Sequence, residues 1–257
     1  MHVLVTGASS GIGAGLAKAF GAAGYDLTLV ARRAAEMERI ADSIGRQVKI
    51  EIIPCDLSDL AGIPDLVARA EAANGPIDVL INNAGVQIID ATMAHDAEAG
   101  ERMVTLNLFA PLRLTRAVYP SMKKRHSGTI VDIASVAAFS HTTYMTYYNA
   151  SKAALAAASI SLRAELKADG IHVMTVYPGP VRTPMGDNGA ARFEKEPTIG
   201  PLPMPWGTPE ELGQLILAGI RNQQAEIVYP AFYKSAKVFR GISQALTTAM
   251  TPKLKQS

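Results

Sequence analysis

The chain has 257 residues, 48% hydrophobic and 19% charged, with a formal net charge of +2, so it holds ample apolar material for a core and gives no electrostatic sign of a nucleic-acid partner. No apolar stretch reaches the roughly 18 residues of a membrane span, and Cys55, the only cysteine, excludes an intrachain disulfide and a cysteine-rich metal site. The five histidines are scattered without ligand spacing, so no metal is expected. Strand residues begin at once, which leaves no room for a signal or transit sequence and leads us to expect a soluble, cytoplasmic protein.

In chain order, apolar runs at 2–6, 26–31, 48–53, 77–82, 128–134, 171–177 and 226–229 read as strands, and helical patterns alternate with them. No Pro/Gly/Ser-rich linker and no repeat divides the chain. The expectation is one α/β domain over 1–257, a doubly wound parallel sheet of Rossmann-like type with helices on both faces. Residues 1–135 form its cofactor half and 136–257 its catalytic and substrate half. Long helices are expected near 98–125 and 147–169.

The first strand, Val3-Leu4-Val5, runs into Thr6-Gly7-Ala8-Ser9-Ser10-Gly11-Ile12-Gly13 and then a helical pattern of Leu16, Ala19, Phe20 and Ala23. Strand, glycine turn and helix N-terminus together suit a pyrophosphate, although glycines also serve ordinary strand-to-helix turns. Further on, Tyr148 and Lys152 stand four residues apart, one above the other on a helix face, with Ser135 at the end of the strand Gly128–Ala134. A phenol beside an ammonium has its phenolate favoured, so the Tyr148 pKa is expected to fall toward the working range of a general acid or base.

With both elements in view, the chain resembles the short-chain dehydrogenase/reductase family in its compact single-domain form, from Val3 to about Pro230. Thr6-Gly-x-x-x-Gly-x-Gly13 is similar to the family's cofactor turn, and Asn82-Asn83-Ala84-Gly85 to its motif after the fourth strand. Ser135, Tyr148 and Lys152 match its catalytic set, Asn107 its fourth catalytic residue, and Pro178-Gly179-Pro180-Val181-Arg182-Thr183 the segment that meets the nicotinamide. Tyr147 is excluded because Ser151, not a lysine, stands four residues beyond it. The resemblance implies hydride transfer between a nicotinamide and a carbonyl or secondary alcohol, as in a carbonyl reductase. Tyr148 would be the general acid/base, Ser135 would orient the substrate, Lys152 would tune the tyrosine and hold the ribose, and Asn107 would hold a water leading to solvent. Gly7, Ser9, Ser10, Gly11, Ile12 and Gly13 would hold the cofactor, together with Asn83, Ala84, Gly85, Pro178, Gly179, Val181 and Thr183. Asp56, with Leu57, matches the position that meets the adenine, a helix cap being its competing role.

An NAD site wants a carboxylate at the end of the second strand, where this chain has Ala31 followed by Arg32 and Arg33. Guanidinium groups suit a 2′-phosphate, so NADP(H) is the expected cofactor, with Arg32 the more expected contact and Arg33 the more expected solvated helix opener. For the substrate, Phe139, His141, Tyr144 and Met145, with a proline- and glycine-rich lid from Met185 to Trp206, suggest an apolar pocket. A non-catalytic NADP(H) sensor would not need Ser135, Tyr148 and Lys152 together. An epimerase or dehydratase of the related larger type would show Gly-x-x-Gly-x-x-Gly.

Assembly is expected as a homodimer or homotetramer through the alanine-rich helix 147–169 and its neighbour, which otherwise leave Leu155, Ile160 and Leu162 short of partners. The tail from Ile227 to Ser257 has five basic residues and no acidic one, with an amphipathic pattern of Phe232, Phe239, Ile242 and Leu246. It is expected to pack on the body or a neighbouring subunit with its lysines in water, in preference to an anionic membrane surface.

Overall fold

The computed structural model describes residues 1–195, 198–199 and 202–255. Seven strands form one parallel sheet: β1 His2–Thr6, β2 Asp26–Ala31, β3 Ile50–Pro54, β4 Ile77–Asn82, β5 Gly128–Ile133, β6 Ile171–Pro178 and β9 Glu226–Tyr229. Their order is β3-β2-β1-β4-β5-β6-β9. Thr198–Ile199 and Leu202–Pro203 make a separate two-stranded antiparallel pair, β7 and β8. Pro197, Gly200 and Pro201 of the expected lid lie outside the described residues.

The strands are apolar on both sides because both sides are covered. Successive side chains of β1 point to opposite faces, so Val3 and Val5 join one core cluster and Leu4 the other. The first cluster lies under α1 (Gly11–Ala22), α2 (Ala34–Ile44) and α8 (Pro209–Arg221), with Leu16, Phe20, Met37, Leu212 and Ile216 fully buried. The second lies under α3 (Ile63–Asn74) and α5 (Ala110–Arg125), with Ile63, Leu66, Leu114 and Val118. Gly15 lets α1 touch α8: a Cβ there would fall 2.6 Å from the Pro209 carbonyl oxygen. β3 begins two residues later than its apolar run, because the Lys49 amide is taken by the Asp26 carboxylate at 2.8 Å.

The long helix expected near 98–125 is two helices, α4 (Ala97–Val104) and α5, joined by a π-helical turn at Thr105–Phe109. Pro111 supplies a cause: with no N–H it cannot bond the carbonyl of Asn107, four residues back, and the ladder opens there. α6 runs from Thr146 to Leu166, followed by a 3₁₀ turn at Lys167–Asp169. Leu155 is buried in the monomer and Leu162 packs on the core, so of the three apolar residues expected to lack partners only Ile160 is exposed.

α7 (Pro184–Ala191) follows β6, and the chain ends in α9 (Lys234–Val238), α10 (Arg240–Met250) and a short bridge that pairs Leu254 with Phe193. The tail does pack on the body, through Tyr233, Ala236 and Leu254 and the polar side of α10, while Phe232, Phe239, Ile242 and Leu246 stay exposed.

Candidate active site

The strand order reverses between β1 and β4, and the loops at the carboxyl ends of the strands part there. A cleft of about 310 Å³ opens along them, lined on one side by Gly7, Ser10, Gly11 and Ile12 and on the other by Ser135, Tyr148 and Lys152. Asn83, Gly85, Pro178, Gly179, Val181, Thr183, Met185 and Trp206, all expected, line it as well.

The glycine turn cannot carry side chains where its glycines stand. Gly7 and Gly11 have φ of 66° and 54°, and a Cβ on Gly13 would lie 2.2 Å from the Gly7 carbonyl oxygen. The Asn83 amide ties the turn to the end of β4, donating to the Thr6 carbonyl at 2.8 Å, while the Thr6 hydroxyl accepts from the amides of Asn83 and Ala84 at 2.9 and 3.0 Å. Backbone, held this tightly, and a helix N-terminus face the cleft with no side chain between them. That is the cradle an anionic dinucleotide requires, and the residues fit the group.

The two arginines part company. Arg33 reaches back to the turn, donating to the hydroxyls of Ser9 and Ser10 at 3.0 and 2.9 Å. Arg32 is exposed and makes no hydrogen bond among the described residues. The contact with the turn is thus made by Arg33, the more expected solvated helix opener, and not by Arg32. Asp56 is exposed and its carboxylate accepts from the Ser58 amide at 2.9 Å, while Asp59, not Ser58, caps the next turn. The Leu57 side chain is in the core.

Ser135, two residues past the end of β5, caps the 3₁₀ turn Val136–Ala138 beside the cleft. Its hydroxyl accepts from the Ala137 amide at 3.1 Å and donates to the Pro178 carbonyl at 3.3 Å. Tyr148 and Lys152 face it from one side of α6. The Lys152 ammonium donates to the Ile133 carbonyl at 2.8 Å and lies 5.9 Å from the centre of the Tyr148 ring. The expected fall of the Tyr148 pKa is not found: burial raises it, and the neighbouring Ser135 hydroxyl opposes this only in part. The ammonium is engaged with a carbonyl and too distant to reverse the burial effect. Burial likewise lowers the Lys152 pKa to about 8, against the pull of Asp132.

Asp132, a residue the sequence reading missed, lies buried in β5 near this lysine and accepts from the Asn82 amide at 2.8 Å; burial raises its pKa. The signal was a carboxylate in the middle of an apolar strand, which requires a partner.

Asn107 is fully buried in the π-helical turn. Its amide accepts from the Val86 N–H and donates to the Val86 carbonyl, both at 3.0 Å, and donates to the Ser151 hydroxyl at 3.1 Å. These bonds fix the chain just past Gly85, where a Cβ would meet Asn107 Oδ1 at 3.0 Å and Lys152 Nζ at 3.4 Å. Tyr147, excluded above, packs on Gly100 and the ring of His95.

Thr183 caps α7, its hydroxyl accepting from the Gly186 amide at 3.0 Å, and its methyl group lies against Gly11 across the cleft. On the substrate side, three expected residues are not in the wall. Phe139 is buried against Tyr177, His141 turns to the Ala137 carbonyl, and Tyr144, at φ 69°, packs behind Met145. The expected Met145 and, from the expected lid, Phe193 and Met204 do line it, together with Gln87, Ile89 and Thr142, a mostly apolar set. Among the described residues no group of three His, Cys, Asp or Glu side chains gathers as a metal site would need.

Comparison with known proteins agrees with this arrangement. The family model described as short chain dehydrogenase matches residues 1–192. A fatty acyl-CoA reductase of Mycobacterium tuberculosis is 42% identical over 189 residues, 72% of this chain and 64% of that protein, so the match leaves over a third of the relative's length uncovered. A short-chain dehydrogenase from Sphingobium yanoikuyae, solved in complex with NADPH, superposes with a TM-score of 0.79 at 33% identity over 95% of this chain and 94% of the other. The bulky-bulky ketone specific alcohol dehydrogenase from Comamonas testosteroni gives 0.76 at 31% identity over 94% and 92%.

Proposed function

Because the chain belongs to the short-chain dehydrogenase/reductase family, we propose that it is an NADP(H)-dependent oxidoreductase that interconverts an apolar carbonyl compound and its alcohol. The observation that carries this reading is the convergence of Ser135, Tyr148 and Lys152 on one apolar cleft whose opposite wall is the glycine turn. The NADPH complex of the Sphingobium relative supports the cofactor class, and Arg33 on the turn supports the phosphorylated form. Gly7, Ser10, Gly11 and Ile12 would hold the pyrophosphate, Arg33 the 2′-phosphate, Asp56 and Leu57 the adenine, Lys152 a ribose, and Val181 and Thr183 the carboxamide. When bound, the nicotinamide supplies the hydride.

Tyr148 gives its proton to the carbonyl oxygen in the reducing direction. A pKa raised by burial keeps that phenol protonated at neutral pH, which is the state a donor needs. Ser135 donates a second hydrogen bond to the same oxygen and fixes its position. The Lys152 charge, held over the same face of α6, favours the phenolate as it forms. Asn107 is a positioning residue: its bonds to Val86 hold the loop past Gly85 near Lys152. Phe193, Met145, Met204 and Trp206 exclude water from the apolar part of the substrate.

A second reading, reduction of an acyl thioester, rests on the identity with the mycobacterial fatty acyl-CoA reductase. Loss of NADPH absorbance with a panel of bulky ketones, aldehydes and acyl-CoA thioesters separates the two. Turnover of ketones or aldehydes alone supports the first reading, turnover of thioesters the second, and no turnover of any member sinks both.

A further inference from the structure

α10 turns its apolar side outward and its polar side to the protein, the reverse of an ordinary surface helix. α10 meets the body through hydroxyls and an amide: the hydroxyls of Thr247 and Ser140 are 2.7 Å apart, Ser243 donates to Ser140 at 3.2 Å, and Gln244 accepts from the His141 N–H at 2.7 Å and donates to its carbonyl at 3.0 Å. No residue of α10 is buried. Val238, Phe239, Ile242 and Leu246 are between 51% and 74% exposed, a contiguous apolar surface of the kind that marks an interaction site.

Cations precede and follow this surface along the chain. Lys234 and Arg240 stand at the starts of α9 and α10, and Lys253 and Lys255 follow the end of α10; among the described residues none of the four pairs with a carboxylate. Lys237 alone is paired, with Glu226. No Asp or Glu occurs from Ile227 to Ser257. An apolar face bounded by free cations matches the interface of an anionic bilayer, where side chains enter the headgroup region and lysines reach the lipid phosphates. A second copy of the chain fits less well, because a two-fold contact would bring two unbalanced positive sets together. We propose that α9 and α10 dock peripherally on an anionic membrane surface, with Phe239, Ile242 and Leu246 in the interfacial layer. No described helix is long and apolar enough to cross a membrane, and the docking needs none.

The test is sedimentation of the full chain with vesicles of phosphatidylcholine alone and of phosphatidylcholine with about a third phosphatidylglycerol. The expected result is binding that rises on the order of tenfold or more with the anionic lipid and is lost in high salt. The I242E/L246E variant should abolish it while leaving NADPH binding and turnover of a water-soluble substrate unchanged. If that variant folds poorly, K234Q/R240Q/K253Q/K255Q, confined to exposed side chains, carries the test and should lose the dependence on anionic lipid. Absence of wild-type binding, or equal binding to neutral vesicles, overturns the proposal. So does vesicle binding unchanged in either variant. Absence of vesicle binding together with an oligomer that I242E/L246E dissociates would assign the face to a second copy.

Discussion

Replacing Arg33 by Ala removes a guanidinium that lies on the hydroxyls of Ser9 and Ser10, at 3.0 and 2.9 Å, beside the turn that would hold the pyrophosphate. Both bonds are exposed, so the protein itself should lose less than about 0.5 kcal/mol of stability. The loss should fall on the cofactor. One charge-assisted hydrogen bond to a 2′-phosphate contributes about 1.5–3 kcal/mol, which is roughly a 10- to 150-fold weaker Kd for NADPH. NADH has no such phosphate and should bind within about twofold of the wild type by the same arithmetic. Arg32→Ala should have the smaller effect, since Arg32 makes no contact with the turn. Fluorescence titration of both cofactors at one fixed ionic strength measures this. An equal loss of NADPH and NADH would mean that the arginine is structural. A larger loss in Arg32→Ala would mean that the guanidinium nearer the strand end holds the phosphate.

Three further outcomes follow from the geometry. Gly13→Ala places a Cβ 2.2 Å from the Gly7 carbonyl and 2.7 Å from the Asn83 amide, so it should cost about 1–3 kcal/mol by overpacking, read as a lower Tm and a loss of cofactor binding. Lys152, with a pKa of about 8, is charged below that pH and neutral above it. The kcat/KM for NADPH should therefore fall about tenfold per pH unit above about 8, and a Lys152→Met variant should be slow but flat across that range. The exposed strip of Ala157, Ile160, Ser161 and Ala164 on α6 should pair two protomers. Sedimentation at micromolar concentration should give more than the 27.2 kDa of one chain, and a monomer would refute the pairing.

The parallel sheet was legible because its central strands are apolar on both faces and the strands alternate with helical patterns, and the glycine turn was legible because its three glycines stand where close backbone approach demands them. Ser135, Tyr148 and Lys152 could be read from spacing along one strand end and one helix. What spacing cannot convey is contact across the chain. Asn107 finds its partners at Val86 and Ser151, 21 and 44 residues away, and Arg33 finds Ser9 and Ser10 across a whole βα unit. The direction of the Tyr148 shift was misread for the same reason: the sequence shows the neighbouring lysine but not the burial that outweighs it. Between Ser135 and Tyr148 the chain turns through a positive φ at Tyr144, and Phe139 packs on Tyr177 in the core, so that Thr142 and Met145 stand in the wall. No helical or strand period applies to such a loop. The π-helical turn at Asn107 was foreshadowed only by an asparagine and a proline in a helical stretch, each a reason for the ladder to open.

The proposed chemistry is tested most directly by Tyr148→Phe. The substitution removes one oxygen from a cleft whose shape it leaves intact, and that hydroxyl serves the substrate and not the cofactor. With the carbonyl compound that the wild type reduces fastest, the rate of NADPH consumption should fall on the order of 100-fold or more, while the Kd for NADPH stays within a few-fold. A variant that keeps more than about a tenth of the wild-type rate would contradict the assignment of Tyr148 as the proton donor, and with it the mechanism built on this cleft.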